Sequence, residues 1–191
     1  MLDYFKDLHS SVLYIQIWEN RLLVRDIKSS EYFDEKPLIA ITRNSNNKKI
    51  ISAVGNKAVG MEDAVTQVTN PFSHPRMLVG DFVLATKILQ HVLLNIPGKK
   101  LFRPSPIVVI HPMDKVEGGQ SEVEIRILKE LAMGAGARKA YVYLGAPLST
   151  ANFDLELVAR ENGDSPFNER GKSWSSWLFV ILLFALWYWY N

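Results

Sequence analysis

Apolar and polar positions begin to alternate at residue 13, where Leu13, Ile15 and Ile17 interleave with Tyr14, Gln16 and Trp18. That period of two predicts a strand. Glu19-Asn20-Arg21 interrupts the pattern and Leu22-Leu23-Val24 resumes it, so residues 13–26 predict a β-hairpin. Leu38–Ile41 predicts a third strand, "NSNNKK" (44–49) a polar turn, and "IISAVG" (50–55) a fourth strand. The pattern then weakens as far as Pro75, and "NPFSHPR" (70–76) reads as a loop punctuated by two prolines. Asp81 stands at an N-cap position ahead of Phe82, Ala85, Ile88, Leu89, Val92 and Leu93, the spacing of an amphipathic helix that ends by Pro97-Gly98. Ile107–Ile110 is a continuous apolar run between prolines, which predicts a strand buried on both faces. A second helix is marked by a capping box, Ser121 with Glu124. Its apolar stripe is Val123, Ile127, Leu128 and Leu131, and Gly134 and Gly136 stop it. "KAYVYLG" (139–145) gives a last strand, and residues 151–172 read as a polar linker. A β-rich start followed by helix–strand alternation predicts a mixed sheet with helices packed on it, an α/β domain over residues 1–150.

The C-terminal residues break with this pattern. Trp174 to Tyr190 is almost wholly apolar on every face, and about 17 residues rise roughly 25 Å as a helix, the lower end of what spans a bilayer core. Trp174 and Trp177 at one end and Trp187 and Trp189 at the other stand where aromatic belts meet headgroups, with Leu178, Phe179, Leu182 and Phe184 between them. The competing reading is a buried core helix. Arg170 and Lys172 precede the span, and the positive-inside rule then places residues 1–172 on the cytoplasmic face. The expectation is a tail-anchored protein with its anchor at 173–191. Residues 1–11 lack the apolar run of a signal peptide.

Bulk composition narrows the chemistry. The 191 residues carry a formal charge of +2 and no Lys/Arg run longer than two, which argues against nucleic acid as a partner. Cysteine is absent, so disulfides, thiolate catalysis and cysteine-ligated metal are excluded. His9, His74, His91 and His111 show no metal-site spacing, and no nucleophile elbow occurs. His111 ends a buried strand, where α/β folds often place ligand contacts. Gly118-Gly119 reads as a flexible turn, since Asp114 and Glu117 would repel an anion there. In the proline loop, Phe72, His74 and Arg76 are candidates for contact with a protein partner; a plain crossover loop is the alternative.

Four stretches carry a family likeness: "FDEKPLIAI" (33–41), "DFVLATKILQH" (81–91), "FRPSPIVVIHP" (102–112) and "SEVEIRILKELAMGAGAR" (121–138). In this order they resemble the first domain of the MreB family, the rod-shape-determining bacterial actins, over roughly residues 4–150. The resemblance implies an actin-like (ribonuclease H-like) half-domain. It also implies a degenerate nucleotide site, because the family's first strand ends in an Asp followed by a Gly-Thr turn that holds phosphates. Aligned on that strand, this chain has Gln16 for the Asp and Trp18 for the Gly, with Glu19 next. A Trp fills space that a phosphate needs, and a non-glycine turn brings its amides less close. The family's acidic residues before a strand–helix proline become Gly145 and Ala146 ahead of Pro147. The expectations are no ATP hydrolysis, no cofactor, Trp18 plugging the vacated pocket, and, unless residues 151–162 supply a covering helix, one sheet face left partly bare for a partner or for self-association.

The functional expectation is a catalytically inactive, membrane-anchored adaptor at the bacterial inner membrane. Its partner would be a bacterial actin filament, with a role in cell shape. The alternatives are a cytoplasmic adaptor of a pilus or secretion complex, and a nucleotide-binding ATPase whose pocket another subunit completes.

Overall fold

The computed structural model describes residues 11–29, 31–96 and 105–163. Among these residues eight strands form two sheets. The larger contains β1 (Val12–Ile17), β2 (Leu22–Asp26), β3 (Tyr32–Glu35), β7 (Ile107–Pro112) and β8 (Lys139–Val142), in the order β3-β2-β1-β7-β8. β1 pairs antiparallel with β2 and parallel with β7, and β7 pairs parallel with β8. The smaller, antiparallel sheet has the order β5-β4-β6, from β5 (Lys49–Val54), β4 (Ile39–Arg43) and β6 (Thr66–Thr69). Helices α1 (Phe82–Asn95) and α2 (Glu122–Gly134) precede β7 and β8.

The predicted hairpin is β1–β2, and the predicted third and fourth strands are β4 and β5. Two short strands carried no periodic signal. β3 is a half-exposed edge strand, "YFDE", and β6 is "TQVT", with a single aliphatic residue. Four residues of that composition do not establish a period of two; their neighbours in the sheet fix them.

One face of the large sheet forms the main core. Leu13, Ile15, Ile17, Val24, Val108 and Ile110 pack with Ile88, Leu89 and Val92 of α1 and with Leu128, Leu131 and Ala132 of α2. Both helices begin as the sequence predicts. Asp81 accepts a hydrogen bond from the Leu84 amide at 2.9 Å, and the Ser121–Glu124 capping box is complete. α2 ends in a Schellman arrangement around Gly136 (φ +107°), with the Ala137 and Gly136 amides donating to the Ala132 and Met133 carbonyls. Its buried stripe is rotated from the predicted one. Val123 is 67% exposed, and Ile125 packs against the core instead. Val123 lies in the first turn, before the helix meets the sheet.

The opposite face was expected to be partly bare. Its central residues are in fact buried: Tyr14, Leu23, Val109 and Tyr141 are all below a tenth exposed. Residues after β8 return across the strand ends, where the Phe153 ring lies 5.8 Å from that of Tyr14 and the Leu148 amide donates to the Tyr14 hydroxyl.

The chain divides into two units, Met1–Asp154 and Leu155–Asn191. In the second, where a polar linker was expected, Leu155–Glu161 forms a short helix, α3, with Val158 and Ala159 buried. The membrane anchor expected at 173–191 lies outside the described residues. Among the described residues, no helix is long and apolar enough to cross a membrane.

Candidate functional site

The carboxyl ends of the parallel strands β1, β7 and β8 meet at one rim of the large sheet, the place where open α/β sheets receive ligands. The β1–β7 register sets Gln16 beside His111 and Ile17 beside Pro112. A cleft of about 260 Å³ opens beyond these ends, lined among others by His111, Met113, Gln120, Leu144, Gly145 and Pro147. Among the described residues, no Asp, Glu, Lys or Arg lines it. Such a lining offers neither a carboxylate to order a metal and its waters nor a permanent cation to balance phosphate charge.

Gln16 is 3% exposed, and both ends of its amide are engaged. Its oxygen accepts from an Arg25 guanidinium nitrogen at 3.1 Å, and its nitrogen donates to the Met113 sulfur at 3.5 Å. Trp18 is half-buried but does not line the cleft, contrary to the expectation that it plugs the pocket. The Arg21 guanidinium lies 5.2 Å from the centroid of its ring instead. Asp34 fixes that guanidinium through two bonds of 2.6 Å, and Arg21 in turn holds the Asp34 carboxyl below its ordinary range.

The Glu19 turn is tied to two distant loops. The Glu19 amide donates to Asp114 Oδ2 at 2.8 Å, and its carbonyl accepts from Asn70 Nδ2 at 2.7 Å. Its carboxylate pairs with Lys115 Nζ at 3.0 Å, and the same ammonium donates to the His74 carbonyl. The Trp18 amide closes the turn on the Arg21 carbonyl at 2.9 Å. The Trp18 and Glu19 amides are thus used within the chain.

Gly145 sits beneath Tyr143. A Cβ added at Gly145 would fall 2.3 Å from the Tyr143 hydroxyl oxygen and 2.5 Å from Cζ, so a carboxylate side chain at this position would require the ring to move. Ala146 beside it is exposed. Tyr143 packs edge-on to His111, with centroids 5.1 Å apart. His111 is 4% exposed and its Nδ1 lies 2.5 Å from the Tyr14 hydroxyl. The Leu148 amide donates to that hydroxyl oxygen at 3.2 Å, so the Tyr14 hydroxyl joins His111 to the segment after β8. Burial lowers the His111 pKa from 6.5, against an opposing backbone hydrogen bond at Gly145, and burial raises that of Tyr14 from 10.0.

The proline loop divides in two. Phe72 is fully buried in the main core and cannot touch a partner, which corrects its reading as a contact residue. His74 and Arg76 are exposed, and the Arg76 amide donates to His74 Nδ1 at 3.2 Å. Asn70 organises the loop by accepting from the Phe72 amide at 2.9 Å.

The structure thus gathers Gln16, His111 and Gly145 at one rim and places Glu19 beside it. Tyr14, Tyr143, Asn70, Asp114 and Lys115 were not foreseen as members. For Tyr14 a signal existed, since a period of two sets it on the same face as Gln16. For Asp114 none did, because it meets Glu19 across 95 residues of chain.

No family model matches the chain. Curated relatives do. MreB, the cell shape-determining protein of Escherichia coli K12, is 27% identical over 155 residues, covering 79% of this chain and 43% of its own length. MreB of Haemophilus influenzae is 29% identical over 150 residues, 76% of this chain and 41% of its own. The uncharacterised protein YjaA of Escherichia coli K12 is 31% identical over 134 residues, 68% of this chain and 80% of its own. Among solved structures, MreB5 of Spiroplasma citri bound to AMPPNP superposes with a TM-score of 0.54 at 17% identity, over 71% of this chain and 38% of that one. A non-polymerising MamK variant bound to AMPPNP gives 0.55 at 14% identity, over 70% and 40%. The chain spans less than half the length of the MreB relatives it matches. With its actin-like mixed sheet and these likenesses, the chain is an MreB-like actin homologue.

Proposed function

We propose that this protein is a catalytically inactive, membrane-anchored actin-like adaptor that works by binding another protein at the cytoplasmic face of the inner membrane. The observation that carries the inactive half of this reading is the state of the rim. The Glu19 turn amide is donated to Asp114, and Tyr143 occupies the space a side chain at position 145 would need. With no carboxylate or permanent cation among the described lining residues, that lining gives no electrostatic stabilisation for phosphoryl transfer. The relatives named as cell shape-determining proteins favour an MreB-type filament as the partner, with a part in cell shape.

Purified full-length protein in mild detergent is expected to show no saturable binding of a fluorescent ATP analogue with Mg²⁺ up to millimolar concentration. Micromolar binding would overturn the inactive reading and favour an ATPase whose pocket a second subunit completes.

Anchoring is supported by the uncharged run from Trp177 to Tyr190 behind Arg170 and Lys172. On cell fractionation, the full chain should sediment with membranes and resist carbonate extraction, whereas a chain ending at residue 172 should move to the soluble fraction. Continued membrane retention of the shortened chain would contradict the anchor.

A further inference from the structure

The turn that follows β1 stands at the carboxyl end of a central parallel strand, and a backbone N–H directed outward there is a ready donor to an anion. In this chain an anion is already in place. Asp114 Oδ2 lies 2.8 Å from the Glu19 nitrogen, a charge-assisted distance. The segment that delivers it is held by its own set of bonds. Lys115 adopts φ +57°, a left-handed conformation uncommon outside glycine, and Gln120 Nε2 fixes its carbonyl at 2.9 Å. The Lys115 side chain is only 18% exposed and clasps the Glu19 carboxylate at 3.0 Å while donating to the His74 carbonyl. From the other side, Asn70 holds the Glu19 carbonyl at 2.7 Å. Amide, carbonyl and carboxylate of one residue are each tied to a loop far away in sequence.

We infer that Asp114 is a resident intramolecular anion that occupies the β1–β2 turn and closes it to external oxyanions, with Lys115 as the clasp. The carboxylate takes the Glu19 amide that a small oxyanion would use, and its charge repels any replacement. This inference rests on the inactive-site reading and deepens it, since the turn is both altered in sequence and filled.

The test compares the full-length parent with Asp114→Ala and Asp114→Asn in mild detergent. Two measurements are made: hydrogen exchange of the segment containing the Glu19 amide, and thermal unfolding with and without millimolar inorganic pyrophosphate. Asp114→Ala should exchange that amide at least about tenfold faster than the parent, because its acceptor is gone. Pyrophosphate should raise the Tm of Asp114→Ala by about 2–3 °C and leave the parent unchanged. Unchanged exchange in Asp114→Ala would overturn the inference. Faster exchange without any pyrophosphate effect would overturn the occupancy claim and reduce the contact to a loop staple. A parent that gains as much from pyrophosphate as the variant would also overturn it, whereas Mg-ATP binding by the parent would sink the inactive reading itself. Should Asp114→Ala fail to fold, Asp114→Asn serves, since it keeps an oxygen acceptor and drops the charge. Its Glu19 amide should exchange several-fold faster than the parent's, and equal exchange would overturn the inference.

Discussion

Full-length protein carrying Phe72→Ala is expected to lose about 3–5 kcal/mol of unfolding free energy, while His74→Ala and Arg76→Ala stay within about 0.5 kcal/mol of the parent. The three residues share one loop, and its sequence gives no reason to separate them. Phe72 is fully buried in the cluster formed by the sheet and α1, so truncation removes its transfer free energy and leaves a cavity. Its backbone is pinned as well, by Asn70, which also reaches the Glu19 carbonyl. Loss of the ring should therefore loosen the rim of the cleft along with the core. Urea titration in mild detergent, followed by far-UV circular dichroism, measures the difference. A loss below about 1 kcal/mol, the scale of an ordinary surface change, would show that the loop is not anchored in this way. The same series tests the contact reading that remains, because only His74 and Arg76 are free to change partner capture without changing stability.

Tyr14→Phe is expected to cost about 1–3 kcal/mol, although it removes a single oxygen. That oxygen accepts from the Leu148 amide and is hydrogen-bonded to His111 Nδ1, so phenylalanine leaves both groups without this partner. The same cluster sets a pH dependence. Burial holds the His111 pKa below 6.5 in the folded protein, while the unfolded chain takes up a proton near that value. The contribution of neutral His111 is therefore fully present above pH 6.5 and is lost as pH falls below it, through the depressed folded pKa. For Tyr14, raised above 10.0 chiefly by burial, the contribution is present below that pH and is lost as pH rises beyond it. Stability measured across this range should fall on both sides, and His111→Gln should flatten the acid limb between pH 6.5 and 5. Asp34, whose carboxyl titrates below 3.8 beside Arg21, leaves that window untouched. A parent equally stable at pH 7 and pH 5 would contradict the burial of a neutral histidine.

Much of the frame was legible without coordinates, for identifiable reasons. β1 alternates because Leu13, Ile15 and Ile17 face the helices while Tyr14 and Gln16 carry polar groups on the other face, and β2 and β7 show as apolar runs, Leu22–Val24 and Ile107–Ile110. Asp81, the Ser121–Glu124 box and Gly136 mark helix ends through bonds to residues within one turn, so their chemistry is local and sequence carries it. β3 and β6 were missed because four-residue strands with one or two apolar positions depend on neighbours in the sheet for their identity. α3 was missed because Leu155, Val158 and Ala159 make a single turn of stripe, too short to stand out from polar surroundings. Val123 was assigned to the stripe of α2 because periodicity counts apolar residues without knowing where the helix meets the sheet.

The site divides along the same line. That Gln16, Trp18 and Gly145 stand where the family resemblance expects an acid, a glycine and an acid is a matter of residue type, and the sequence alone carries that expectation. What fills the space is a matter of distance. The Asp114 carboxylate on the Glu19 amide and the Tyr143 ring over Gly145 exist only because parallel strands bring their carboxyl ends to one rim. Trp18, which by size alone was expected to fill the pocket, is drawn instead to Arg21, and Phe72 to the core. Side-chain volume and charge are written in the sequence. The direction in which each side chain points, and the partner it meets across many tens of residues, are fixed by the packing of the sheet.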